Sequence, residues 1–226
     1  MARAIVFEER FEVPMDIGTL GDFRRWALSD DYPERGRMDY LGGRIEVDMS
    51  PEDLFTHGTV KTELVVILGQ RVKKSVPGSL FTDSARVSSV EADLSAEPDL
   101  VLVTDESLDE GRVRLIEKAG AGENRYIELE GAPDLVVEIV SDNSVNKDTR
   151  RLPAAYFKAG VREFWLVDAR GKEILFQIQR REDSGFEPVS LDADGFQSSV
   201  VLGCRYRLDR SRNAKGRWVY DLREKT

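Results

Sequence analysis

The stretch from Pro133 to Asp168 limits the possible folds more than any other. It opens with an apolar run, Leu135-Val136-Val137, passes through Glu138 to Ile139 and Val140, and stops at Ser141-Asp142-Asn143-Ser144. A polar crossing with Lys147 follows, then a helical piece ending at Gly160, then a second apolar run, Phe164-Trp165-Leu166-Val167. Strand, helix and returning strand in about thirty residues make a β-α-β unit, with parallel pairing and a right-handed crossover. Near-continuous apolar strands belong in a sheet covered on both faces. A carboxylate set in such a strand is costly unless a cation meets it, so Glu138 is the residue to explain.

Around this unit the sequence predicts one α/β domain over 1–226. Residues 1–37 form an N-terminal extension, 38–181 the core, and 182–226 a C-terminal β extension with a basic tail. Ile5 to Val13 reads as a loosely paired segment. Thr19, with Asp22 three residues on, reads as a helix cap. Met38 to Leu41 and Arg44 to Met49 flank Gly42-Gly43 as a hairpin, with Glu46 and Asp48 on its polar face. Helical spacing runs from about Thr56 to Lys74 and places His57 at the start of the buried stripe. Leu80 to Thr82 and Ala85 to Val90 read as another strand pair, and Leu100 to Val103 as a strand apolar on both faces. A charged connection with a short helix around Arg112 to Glu117 leads to a brief strand, Tyr126 to Leu129. Pro153 places the start of the next regular helix near Leu152, after a polar lead-in or kinked first turn. Glu173 to Arg181, Phe186 to Leu191 and Val200 to Leu208 read as antiparallel strands.

Composition narrows the chemistry. Cys204 is the only cysteine and His57 the only histidine, which excludes an internal disulfide and a Cys/His zinc site. Any metal is a hard, oxygen-liking one. The lone cysteine makes a cytoplasmic location the default. No stretch reaches the roughly 18 apolar residues of a membrane span, and the N-terminus is too charged for a signal peptide. The net charge of −9 opposes indiscriminate binding to a polyanion. Arg205 to Thr226, however, carries eight Lys or Arg against three Asp or Glu. Screening over about 8 Å lets such a patch act locally.

Pro-Asp occurs twice, at Pro98-Asp99 and Pro133-Asp134, each time before an apolar strand. Asp134 and Glu138 lie on one strand face, but four residues at about 3.3 Å separate them by roughly 13 Å. Mg²⁺ takes ligands at about 2.0–2.1 Å, so that pair cannot share one ion. Asp99 reaches Glu138 if their strands adjoin. Carboxylates about 4 Å apart repel by roughly 4 kcal/mol at an effective dielectric near 20, so such a pair implies a cation or a raised pKa. The structural alternatives are an ion pair of Glu138 with Lys147 or an arginine, a turn role for each aspartate, a satisfied core histidine and a solvated lysine.

Four motifs add to this reading: His57-Gly58 opening a helix, EPDLVLV from Glu97, PDLVVEIVS from Pro133 and YFKAGVREFWLVDAR from Tyr156. In that order they resemble the Uma-type putative restriction endonucleases of the PD-(D/E)xK nuclease superfamily, over roughly Tyr40 to Gln179. The resemblance implies a restriction-endonuclease-like α/β core with a central mixed β-sheet flanked by helices. It implies a Mg²⁺ site, with Mn²⁺ as a substitute, held by Asp99, Glu138 and the Ile139 carbonyl, and DNA phosphodiesters as substrate for a homodimer. Val140 stands where the superfamily pattern places a lysine, and Leu152 at a position where the Uma-type group commonly has one. Lys147, or less well Arg151, serves instead by orienting water or steadying the developing charge. Glu46, Asp48 and His57 are further candidates near the site. Two other readings stand beside this one: a non-catalytic binding or assembly module on the nuclease fold, and a hydrolase of another phosphoester.

Overall fold

In the computed structural model residues 13–33 and 36–226 are described; the Ile5 to Val13 segment lies outside them except for Val13. Thr19 accepts from the Asp22 amide while the Asp22 carboxylate accepts from the Thr19 amide. This reciprocal cap starts α1 (Leu20–Ala27), which buries Leu20, Phe23, Trp26 and Ala27. The predicted hairpin is β1 (Arg37–Leu41) against β2 (Ile45–Asp48). Gly42 and Gly43, at φ 56° and 80°, supply the left-handed pair that a two-residue turn of this hand requires. Asp53 then caps a single π-helical turn, Leu54–Gly58, that runs into α2 (Thr59–Ser75).

The chain continues through β3 (Gly78–Thr82), β4 (Arg86–Ser89), β5 (Leu94–Ala96) and β6 (Leu100–Thr104). Then come α3 (Asp105–Asp109), β7 (Val113–Glu117), β8 (Tyr126–Gly131) and β9 (Leu135–Ile139). A second π-helical turn, Lys147–Arg151, leads into α4 (Leu152–Ala159), which Gly160 ends at φ 96°. The kinked start expected before Pro153 is this π-turn. After it stand β10 (Glu163–Asp168), β11 (Leu175–Arg181), β12 (Phe186–Pro188), β13 (Gln197–Ser199), β14 (Cys204–Arg212) and β15 (Trp218–Lys225).

Two expectations fail locally. The strands on either side of Asp83-Ser84 do not pair with each other: β3 pairs with β6, whereas β4 lies between β5 and β8. Asp83 and Ser84, at φ 41° and 53°, turn the chain out of one sheet and into another, and Leu80 and Phe81 gain Leu102 and Val101 as neighbours. Arg112 to Glu117 holds a strand, not a helix; Val113 pairs with Gly131 in the β7–β8 ladder. The short helix forms just before it instead, where Thr104 caps the Ser107 amide.

The central mixed sheet has the order β12-β11-β10-β9-β6-β3, with β9 and β10 parallel. Its Leu100, Leu102, Leu135, Val137, Ile139, Trp165 and Val167 share one core with α2 and with the three-stranded sheet β13-β14-β15. Alternate residues point the other way. Val101, Val103, Val136, Val140, Phe164 and Leu166 pack on α4 and on a second mixed sheet, β2-β1-β5-β4-β8-β7. Glu138 and Asp99 belong by register to this second face, between the two mixed sheets.

Candidate active site

The site begins with strand alternation. In β1, Met38 and Tyr40 join α1 in an apolar cluster, which sends Arg37 and Asp39 to the opposite face. In the antiparallel β6–β9 pair Leu100 lies opposite Val137, so the next step outward sets Asp99 opposite Glu138. Two carboxylates from adjoining strands therefore share a face, and Arg37 reaches both. Its Nη2 donates to Glu138 Oε2 at 3.2 Å, its Nη1 lies 4.0 Å from Asp99 Oδ1, and its Nε lies 3.5 Å from Asp39 Oδ2.

Each acid has further partners. Asp99 accepts the Ile139 amide at 2.7 Å, with Lys61 Nζ at 3.1 Å and His57 Nε2 at 3.4 Å from its other oxygen. Glu138, fully buried, accepts the Tyr156 hydroxyl at 2.7 Å. Asp39 accepts Lys147 Nζ at 2.8 Å and the Glu97 amide at 2.9 Å. Glu52 meets His57 Nδ1 at 3.0 Å and Lys61 at 3.3 Å. His57 and Lys61 converge because they stand four residues apart, one above the other on a helical face.

The electrostatics follow from burial and these neighbours. Burial pushes Glu138 up to about 8, assisted by Asp148 and Asp99 and opposed by Arg37. Burial likewise lifts Asp148 to about 6. At Asp99 burial is outweighed by His57, Arg37 and Lys61, which hold the carboxyl well below its ordinary range. Burial disfavours a charged His57, but hydrogen bonding to Asp99 and Glu52 wins and raises its pKa to about 9. Asp39, Glu52, Asp99, Glu138 and Asp148 thus surround Arg37, His57, Lys61 and Lys147. Lys61 also meets Asp83 at 2.7 Å, so the acids of the cluster outnumber its cations, and burial favours the protonated form of Glu138.

Of the residues predicted from sequence, Asp99, Glu138 and His57 come together, with the Ile139 amide touching Asp99. Lys147 is buried but bonds Asp39 rather than either of the two acids. Glu46, opposite Asp39 in the hairpin register, is engaged with Arg151 through both carboxylate oxygens, one of them 2.9 Å from Nη2. Asp134 is fixed elsewhere by Thr104, Ser107 and Arg162. Sequence reasoning missed Arg37, Asp39, Glu52, Lys61, Asp148 and Tyr156. The charged–apolar alternation Arg37-Met38-Asp39-Tyr40 was the available signal for the first two, and the four-residue step from His57 for Lys61.

Two clefts open onto the cluster. One, of about 410 Å³, is lined by Arg37, Asp48, Glu52, Glu97 and Asp99; the other, of about 400 Å³, by Glu52, Asp53, His57, Ser141 and Arg170. Glu52, His57 and Asp99 each bring one donor atom within 4.8 Å of the others. The oxygens of Glu52 and Asp99 suit a hard divalent cation, whereas His57, charged below about pH 9, has no lone pair to give one. No helix is long and apolar enough to cross a membrane among the described residues.

A family model described as Uma2, "Putative restriction endonuclease", matches residues 20–208. Among solved structures, a putative nuclease belonging to DUF820 from Anabaena variabilis ATCC 29413 is similar with a TM-score of 0.58 at 20% identity, over 82% of this chain and 90% of that one. That likeness shows the fold, a restriction-endonuclease-like α/β architecture. No curated protein matches.

Proposed function

The chain belongs to the Uma2 family of putative restriction endonucleases, and from that premise we propose a metal-dependent endonuclease that hydrolyses DNA phosphodiester bonds. The observation that carries this reading is the sharing of one buried face by Asp99 and Glu138, with Arg37 reaching both. In it Asp99 and Glu138, with the Ile139 carbonyl, would hold Mg²⁺ or Mn²⁺, and Glu52 would offer a further carboxylate. When bound, the ion supplies Lewis-acid activation of the phosphodiester and of water.

The chain's own groups do the rest. Arg37, partly exposed to the cleft, is placed to meet the phosphate and oppose the charge that grows on it. His57, charged below about pH 9, holds a proton beside Asp99 for a phosphate oxygen or leaving group. Lys147 acts through Asp39 as a positioning residue, and Glu46 takes no part in the chemistry. A cytoplasmic homodimer completes the reading, the compartment being argued from the lone Cys204.

The direct test is cleavage of plasmid DNA in Mg²⁺. Glu138→Ala is expected to lower the rate by about 10²-fold or more, the scale set by loss of a charge-stabilising group. A variant as fast as the parent would end the proposal. A second reading, a non-catalytic module on the same fold, is favoured by the salt bridge of Lys61 to Asp99 and the hydrogen bond that Arg37 donates to Glu138. It requires that calorimetry detect no Mg²⁺ or Mn²⁺ binding.

A further inference from the structure

The basic tail divides into two chemically different halves. Along the base of the β14–β15 hairpin the cations are neutralised: Arg205 by Asp192, Arg207 by Asp209, Arg223 by Asp209 and Asp221, and Lys225 by Asp194. At the tip, from Arg210 to Trp218, stand Arg210, Arg212, Lys215 and Arg217 with no acidic residue among them. Among the described residues none of these four meets a carboxylate within salt-bridge distance, on a chain whose net charge is −9.

The tip is also organised around aromatic surface. Arg212 and Arg210 place their guanidinium carbons 3.7 and 4.0 Å from the centre of the Trp218 ring, and Arg217 lies 5.9 Å from that of Phe55. Arg210 is fixed further by the carbonyls of Ala169, Gly171 and Lys172. These contacts dock the tip between two segments that reach the candidate site. Phe55 sits in the π-helical turn that carries His57, and Arg170, between Ala169 and Gly171, lines the cleft containing His57 and Glu52.

We propose that the tip of the β14–β15 hairpin, Arg210, Arg212, Lys215 and Arg217 around Trp218, is the nucleic-acid track that leads a DNA backbone into the His57 cleft. The proposal deepens the nuclease reading and rests on it for the nature of the ligand. Exposed, unneutralised Arg212, Lys215 and Arg217 are suited to phosphate oxygens, while the guanidinium groups of Arg210 and Arg212 lie over the Trp218 ring and hold the tip in shape. With these four cations set aside the rest of the chain carries −13, against −9 for the whole, which disfavours a polyanion elsewhere. Arg210, held by three carbonyls and by Trp218, anchors the tip, and Arg212, Lys215 and Arg217 are left to meet the phosphates of a backbone laid along it.

The test separates binding from cleavage. Anisotropy of a fluorescein-labelled duplex DNA is measured in EDTA across a salt series, for the parent, for Arg212→Ala/Lys215→Ala/Arg217→Ala and for Arg223→Ala. Each phosphate that is no longer neutralised lowers the slope of log affinity against log salt by about 0.9. The triple variant is expected to lose between about two and three units of slope and at least about tenfold in affinity at low salt. Arg223→Ala, which removes a neutralised cation, is expected to match the parent. A triple variant with the parental slope, or a parent that binds no DNA at low salt, overturns the track. A duplex RNA of the same length forms a second arm; preferential binding of the RNA overturns the DNA assignment. Loss of cleavage in Glu138→Ala with binding intact bears on the catalytic reading alone, so the two fail separately.

Discussion

At the scale of single residues the protein is governed by Glu138, an acid placed where its charge is hard to keep. Its folded pKa of about 8 exceeds the ordinary carboxylate value of about 4.3. Between those values the native state binds more protons than the unfolded state. Its contribution to stability is therefore present at low pH and is lost as pH rises through that window. Thermal melts of the metal-free protein should fall in midpoint from about pH 5 to about pH 8. Glu138→Gln should flatten that decline, leaving losses of the same sign from Asp148 up to about pH 6 and, above about pH 6.5, from His57, whose pKa is raised to about 9. Equal slopes in parent and variant would contradict a buried acid here. The same proton offers a second measurement. Mg²⁺ binding near neutral pH should release about one proton, read from calorimetry in buffers of different ionisation heat. A buffer-independent heat would mean that the ion does not reach Glu138.

At the scale of elements the π-helical turn before α4 is fastened to the β1–β2 hairpin by two ion pairs one turn apart. Lys147–Asp39 is buried, whereas Arg151–Glu46 is partly exposed. Removing Lys147 leaves buried Asp39 with the Glu97 amide and the more distant Arg37 alone, at a cost of about 3 kcal/mol, the low end for a broken buried pair. An exposed pair contributes under about 1 kcal/mol. Denaturant titration should thus separate Lys147→Ala from Arg151→Ala by about 2 kcal/mol or more. Similar small losses would mean that the turn is held by α4 packing alone. This pairing was half legible beforehand. The polar lead-in and the start near Leu152 follow from Pro153, but the partner of Lys147 does not, since Asp39 lies 108 residues away.

At the scale of the whole molecule the C-terminal sheet is a wall of the main core rather than an appendage. Leu202, Tyr206, Leu208, Tyr220 and Leu222 are buried in the cluster that contains α2 and the central sheet, and Tyr206 lies 5.1 Å from Trp165, ring centre to ring centre. Glu163 of β10 adds a buried tie, accepting from the Ser199 hydroxyl and the Val200 amide. We propose that residues 38–181 and 182–226 fold as one unit. A chain ending at Arg181 should therefore lose cooperative unfolding and bind a hydrophobic dye. A truncated chain that melts sharply would divide the domain in two.

Elements with local causes were legible in the residues themselves. Apolar runs placed β9 and β10, the Thr19–Asp22 cap placed α1, paired glycines placed the hairpin, and Pro153 with Gly160 bounded α4. The sequence also offered Asp99 as a partner for Glu138 on condition that their strands adjoin, and the β6–β9 register meets that condition. Only the tertiary structure decided which sheet took β3 and which took β4, since both strands suit either partner by composition. It alone brought Arg37 against Glu138 across 101 residues and turned Lys147 toward Asp39. Periodicity records which face a side chain occupies, whereas the charge that meets it there depends on how distant strands dock.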